Sequence, residues 1–139
     1  MRARSGAEIA GYLRRLGGTT AVIDAALEKL RRLNYINDGI FARNWALWRA
    51  QNQGYGPGRI DQELKKKGLV DSDIGAALKE IFDQENEEER ARKILQKRFA
   101  GKNLQEPRTL RRAIAFLQRR GYSSKVIFVL LGQSVDDNC

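Results

Sequence analysis

The sequence has no histidine and a single cysteine, Cys139, at its last position. Without histidine it lacks the commonest general base near neutral pH and the commonest metal ligand. One terminal thiol builds neither a disulfide framework nor a cysteine zinc cluster. Proline occurs twice, at Pro57 and Pro107. Both fit the first position of a helix, where a missing N–H costs nothing. No apolar run approaches the ~20 residues of a membrane-spanning helix, and no signal-peptide pattern opens the chain. No sustained period-two alternation marks strands. The expectation is a cytoplasmic, all-α protein with no metal, cofactor or membrane partner. An enzyme would need a constellation of groups that is not found, since the clustered carboxylates of residues 83–89 read as an exposed acidic turn.

Charge of one sign is what the chain does have. Its 26 Lys and Arg outnumber 17 Asp and Glu, for a net charge of +9 and a pI near 10.1. That balance favours a polyanionic partner, or a partner itself bound to a polyanion. A solvated basic surface that merely aids solubility is the plain alternative. At 139 residues and 42% hydrophobic content the chain can form one ordinary domain or a row of small repeats.

A repeat is present. With Leu13, Leu64 and Leu117 in register, a glycine follows four residues later in each copy, at Gly17, Gly68 and Gly121. Each glycine suits the left-handed residue that closes a helix. Three residues further come Thr20, Asp71 and Ser124, each a good N-cap. Ile23, Ile74 and Ile127 and then Leu27, Leu78 and Leu131 complete the pattern. Units this thin bury their apolar faces only by stacking.

The spacing predicts eight helices in tandem three-helix, helix-turn-helix-like repeats, stacked into an elongated, curved solenoid. Unit one spans 5–53, opened by a Ser5–Glu8 capping box and closed by a helix carrying Phe41, Trp45 and Trp48. Unit two spans 54–101. Unit three spans 107–133 and lacks its third helix, and 134–139 is a polar tail. In the acidic run of residues 83–89 the carboxylates favour the positive end of the following helix, whose Arg90, Arg92, Lys93, Lys97 and Arg98 lie toward its negative end.

Cations recur just after the aligned leucines, at Arg14 and Arg15, at Lys65, Lys66 and Lys67, and at Arg119 and Arg120. Cations in a last helical turn interact with the helix dipole by ~0.3–1 kcal/mol each, which accounts for them without any partner. Stacked repeats would also align them as a basic stripe that follows phosphates or an acidic groove. Arg43, Arg49, Arg59, Arg111 and Arg112 would widen it. No base-reading array is visible, so a DNA contact would be independent of sequence. Phe41, Trp45 and Trp48 could stack on single-stranded bases, but their helical spacing favours the core. The Gly54-x-Gly-x-Gly run has no Lys-Ser/Thr after it and no strand before it, so it reads as a helix connector rather than a phosphate loop.

Three segments resemble a known family. Tyr35-Ile-Asn-Asp-Gly-Ile-Phe-Ala42, then Gly54-Tyr-Gly-Pro-Gly-Arg-Ile60 with Glu63-Leu64 and Lys67-Gly68, are similar to the central signature of the RecX regulatory proteins. Leu117-x-x-Arg-Gly-Tyr-Ser123 with Ile127 is similar to that family's C-terminal motif. Ile40 departs from the pattern, which often carries a basic or polar residue before Phe-Ala. The resemblance implies an elongated helical protein lying in the groove of the RecA–DNA filament. It further implies inhibition of RecA's ATPase, strand exchange and coprotease activities, and negative regulation of recombination and the SOS response. A monomer is expected. The competing expectation is a helix-turn-helix protein that binds duplex or single-stranded DNA directly, without a filament.

Overall fold

A computed structural model describes residues 5–33 and 37–132. Among these are eight helices and no strand: α1 (Gly6–Arg15), α2 (Thr20–Arg32), α3 (Asp38–Gln53), α4 (Pro57–Lys66), α5 (Asp71–Ile81), α6 (Gln84–Arg98), α7 (Pro107–Arg120) and α8 (Ser124–Leu131). Among the described residues no helix is long and apolar enough to cross a membrane. Tyr35 and Ile36 of the signature, and the expected tail at 134–139 with Cys139, lie outside the described residues.

The local rules decide most helix ends. Ser5 Oγ accepts from Glu8 N at 3.1 Å, Asn37 Oδ1 from Ile40 N at 3.0 Å, and Asp83 Oδ1 from Asn86 N at 2.7 Å, each satisfying an otherwise orphaned donor. Pro57 and Pro107 open α4 and α7. The three aligned glycines close α1, α4 and α7 in one way. Gly17, Gly68 and Gly121 take φ of 89°, 84° and 92°. The next residue in each copy donates back to the aligned leucine: Gly18 to Leu13, Leu69 to Leu64 and Tyr122 to Leu117, at 3.1, 3.2 and 3.1 Å. These are Schellman closures.

The helices that follow start one residue earlier than expected. Thr19 and Ser123, not Thr20 and Ser124, cap α2 and α8 through their hydroxyls. Val70 takes the cap position of α5 with no side-chain bond, which leaves Asp71 in the first turn, where it serves the dipole. The Schellman closure uses only two residues after the leucine's turn, so the extended cap residue comes two, not three, after the glycine.

The apolar contacts group the helices as α1–α2, α3–α4–α5 and α6–α7–α8. The expected boundaries of 5–53, 54–101 and 107–133 placed α3 and α6 one unit earlier. A repeat alignment sets a period but no phase, and here packing sets the phase. Phe41, Ala42, Ala46 and Ala50 of α3 are buried against Ile60 and Leu64 of α4 and Ile74, Ala77 and Ile81 of α5. Small residues every four positions let α3 approach closely. Ile23, Ile74 and Ile127 are each 1% exposed, and each such burial is worth about 1.5–3 kcal/mol. Trp48 departs from the expected core stripe, because the alanine face turns it outward, 51% exposed. Val22 and Val126 occupy the same repeat position, yet Val126 is 1% exposed and Val22 62%. Helix α6 covers α8, and no described helix covers α2 in that way.

Neighbouring units join through one repeated junction. Gly56 N donates to Arg120 O at 2.7 Å and Gly58 N to Gly121 O at 2.9 Å, so α4 crosses the end of α7 backbone to backbone. A Cβ on Gly121 would lie 2.3 Å from Arg59 N. One unit earlier, Ala7 stands at the position of Gly58, and a Cβ on Gly68 would lie 2.7 Å from the Ala7 Cβ. Gly6 N also donates to Asp38 Oδ1 at 2.9 Å across that junction. The same contact twice over stacks the repeats in register.

Gly68→Val combines the left-handed φ with this contact and is expected to cost about 1–3 kcal/mol, measured as a lower urea midpoint. Gly75→Ala, inside α5 with nothing within 4 Å of the new Cβ, is expected to gain about 0.5–1 kcal/mol. An unchanged midpoint for Gly68→Val would mean that the first junction gives way freely.

Candidate partner-binding interface

With Leu13, Leu64 and Leu117 in register, two positions further along lie Arg15, Lys66 and Arg119. All three are exposed. Each sits in the last turn of the corresponding helix, α1, α4 or α7. Every unit therefore offers one free-standing cation at the same place. Lys66 and Arg119 line one cleft of about 580 Å³ between α4 and the α7–α8 turn, together with Arg59, Gln62 and Ser124. Arg59 reaches across it, donating to Arg119 O at 3.4 Å.

The other predicted cations divide into two groups. Arg14, Arg111 and Arg112 are exposed. Lys65 is exposed but pairs with Asp61 at 3.0 Å, and that hydrogen bond raises its pKa. Arg43 lies 3.5 Å from Glu80. Such exposed pairs contribute little to stability.

Arg49, Lys67 and Arg120 instead turn inward, where they hold the fold. Arg49 Nε donates to Glu63 Oε1 at 2.9 Å, and its Nη2 donates to Glu63 Oε2. Trp45 Nε1 donates to the same carboxylate at 3.2 Å. The guanidinium carbon of Arg49 lies 4.6 Å from the Tyr55 ring centre, with Arg59 at 3.9 Å and Arg120 at 5.7 Å from that ring. Arg120 also donates to Gln53 O and lies 5.1 Å from the Phe116 ring. Lys67 Nζ sits 4.4 Å from the Trp45 ring centre and 3.7 Å from Glu8 Oε1. Cation–aromatic contacts of this kind contribute about 0.5–2 kcal/mol as solvent is excluded.

Two features escaped the sequence reading. Tyr55 collects three arginines from three helices, which nothing in a one-dimensional pattern signals. Glu87 belongs to α6 rather than to an exposed acidic turn, and it is 8% exposed. Its carboxylate accepts from Ser123 N and Ser123 Oγ, each at 3.0 Å, so it caps α8 from another helix. Tyr122 closes the same corner. Its hydroxyl donates to Gly54 O at 3.0 Å, and burial above all pushes the phenol up to about 12. A second, wider depression of about 1300 Å³ runs along α6, lined by Arg90, Lys93, Lys97, Arg98 and Arg120 together with Asp83, Glu85 and Glu89. Among the described residues no group of acidic, cysteine or histidine side chains could hold a metal ion.

Fold and site together define a helical-repeat protein whose units each present a cation at a shared position. The second three-helix domain of RecX matches residues 37–78, and the third matches residues 85–131, in agreement with the phase set by packing. A regulatory protein RecX from Amycolatopsis mediterranei (strain U-32) is 33% identical over 136 residues, covering 97% of this chain and 77% of the relative. A crystal structure of regulatory protein RecX superposes with a TM-score of 0.81 at 28% identity. That match covers 94% of this chain and 64% of the solved one, so the chain spans less than two thirds of that protein. RecX from Lactobacillus salivarius gives a TM-score of 0.78 at 25% identity, covering 94% and 85%. The chain belongs to the RecX family.

The Arg49–Glu63 pair has a pH signature. Partial burial pushes the Glu63 carboxyl up, but hydrogen bonds from Arg49 and Trp45 and the charges of Arg49 and Arg59 outweigh it, leaving the pKa below its ordinary 4.5. A depressed folded pKa means that the stabilisation is complete above that ordinary value and fades as pH falls through the folded one. Glu63→Gln is expected to cost about 1–3 kcal/mol at neutral pH, with the gap to wild type in paired urea melts narrowing as pH falls below the ordinary 4.5 and through the folded pKa. A gap that ignores pH would assign the loss to packing instead of charge.

Proposed function

We propose that this chain is a negative regulator of RecA that docks along the RecA–DNA filament, lowering its ATPase, strand-exchange and coprotease activities and so restraining recombination and the SOS response. It acts in the cytoplasm as a monomer, without cofactor or catalytic group. The family membership supports a regulatory role. The observation that carries the docking mode is the recurrence of one exposed cation per stacked unit, at Arg15, Lys66 and Arg119. A regular row of positive charge suits a partner whose negative charge is itself regular, as in a nucleoprotein polymer. Arg14, Arg43, Lys65, Arg111 and Arg112 add positive potential around the row and steer association. Arg49, Lys67 and Arg120 support it from within, and Arg59 lies in the cleft between Lys66 and Arg119.

The test is sedimentation with preformed RecA filaments and titration of their ATPase. Lys66→Glu combined with Arg119→Glu is expected to weaken co-sedimentation and inhibition about tenfold or more while helicity is retained. The dependence of log K on log salt is expected to become shallower by about 0.7–0.9 for each phosphate contact removed. Lys102→Glu, in the exposed connector before α7, is expected to leave both readings unchanged. Tight, sequence-specific binding to naked duplex with no binding to filaments would overturn the regulator reading.

A further inference from the structure

We infer that Trp48 is a stacking platform for a base of single-stranded nucleic acid whose backbone lies in the Arg59–Lys66–Arg119 cleft. The two tryptophans of the chain have opposite fates. Trp45 is half-buried, anchored by its Nε1 on Glu63 and covered by Lys67. Trp48 is 51% exposed on the outer side of α3. Exposing half an indole gives up burial that would otherwise stabilise the fold. The sister helix carries a cation at the matching place. Counted from the buried pair Ala46 and Ala91, the residue of α6 equivalent to Trp48 is Lys93, also exposed.

Its surroundings point to a nucleic acid rather than to an apolar protein face. The Arg49 guanidinium carbon is 5.8 Å from the Trp48 ring centre, and the same arginine holds Glu63, which lines the cationic cleft. Arg49 also contacts Tyr55, the ring on which Arg59 rests at 3.9 Å. The open indole is thus one guanidinium away from a cleft where Arg59, Lys66 and Arg119 face a single acid, Glu63, already engaged by Arg49. Phosphate-binding cations beside an exposed aromatic are the two parts that sequence-independent single-strand binding requires. In a duplex the bases are stacked on each other and their faces are closed to an indole, so the arrangement selects single strands. The geometry shows no array of side chains placed to read base edges, and none is needed for stacking.

The inference rests on the docking reading for the cleft alone, and its own test uses no recombinase. Titrating the full chain with a short oligodeoxythymidylate is expected to quench tryptophan emission. Trp48→Ala is expected to bind about 5- to 100-fold more weakly, with the remaining Trp45 emission unquenched, and Trp48→Phe is expected to recover part of the affinity. An abasic strand of equal length, which keeps the phosphates, and the corresponding duplex are both expected to bind as weakly as the oligomer binds Trp48→Ala. Equal affinity of wild type and Trp48→Ala for the oligomer, equal affinity of wild type for the abasic strand or duplex, or binding without quenching would overturn it. Filament sedimentation run in parallel separates the two readings: wild type that stacks the oligomer but ignores filaments removes the regulator reading and leaves this one standing.

Discussion

Helix α4 crosses the end of α7 so closely that backbone meets backbone, and the rest of the molecule is arranged around that contact. Gly56 and Gly58 donate to the carbonyls of Arg120 and Gly121. A side chain at Gly56 would meet the peptide after Gly121 at 2.8 Å. The absence of Cβ atoms on both sides is therefore a steric requirement of the crossing, and at Gly121 the left-handed φ of 92° is a second one. Once the two helices are this close, Arg59 comes to lie beside Arg119, and Arg120 reaches back to Gln53 and Tyr55. The cationic cleft is a by-product of the joint.

A chain with a net charge of +9 must place its cations where they do not destabilise the compact state by mutual repulsion. This one does so by dividing them. Arg49, Lys67 and Arg120 spend their charge inside, on a carboxylate, on carbonyls and on the faces of Trp45, Tyr55 and Phe116. Planar guanidinium groups stack and donate at once, which suits arginine to such positions better than lysine. Those left outside, led by Arg15, Lys66 and Arg119, recur with the repeat. Repeating the unit repeats a local habit, a cation in the last turn of a helix.

The same economy of means appears on the acidic side. Glu87 satisfies the donors at the start of α8 from a neighbouring helix, so a residue whose local duty is to favour the start of α6 also ties α6 to α8. Breaking that tie would leave a carboxylate in a site that is 8% exposed, with no solvent to replace the lost partners.

Much of the fold was legible in the chain because it depends on local rules. The all-helical character, the threefold repeat, the glycine stops at 17, 68 and 121, the proline starts and the inward isoleucines all follow from steric and periodic constraints that act over a few residues. Part of the candidate interface was legible in the same way: the last-turn positions mark Arg14, Arg15, Lys65, Lys66, Lys67, Arg119 and Arg120 as a set. Only the tertiary structure decided which cations are free, because burial of Arg49, Lys67 and Arg120 depends on residues 14 to 67 positions away. It also set the phase of the units, since a period read from one dimension has no origin until helices choose their neighbours. The outward turn of Trp48 came from the same source. Phe41, Trp45 and Trp48 share a spacing, but it was the alanine face meeting α5 that selected which side of α3 would be inside.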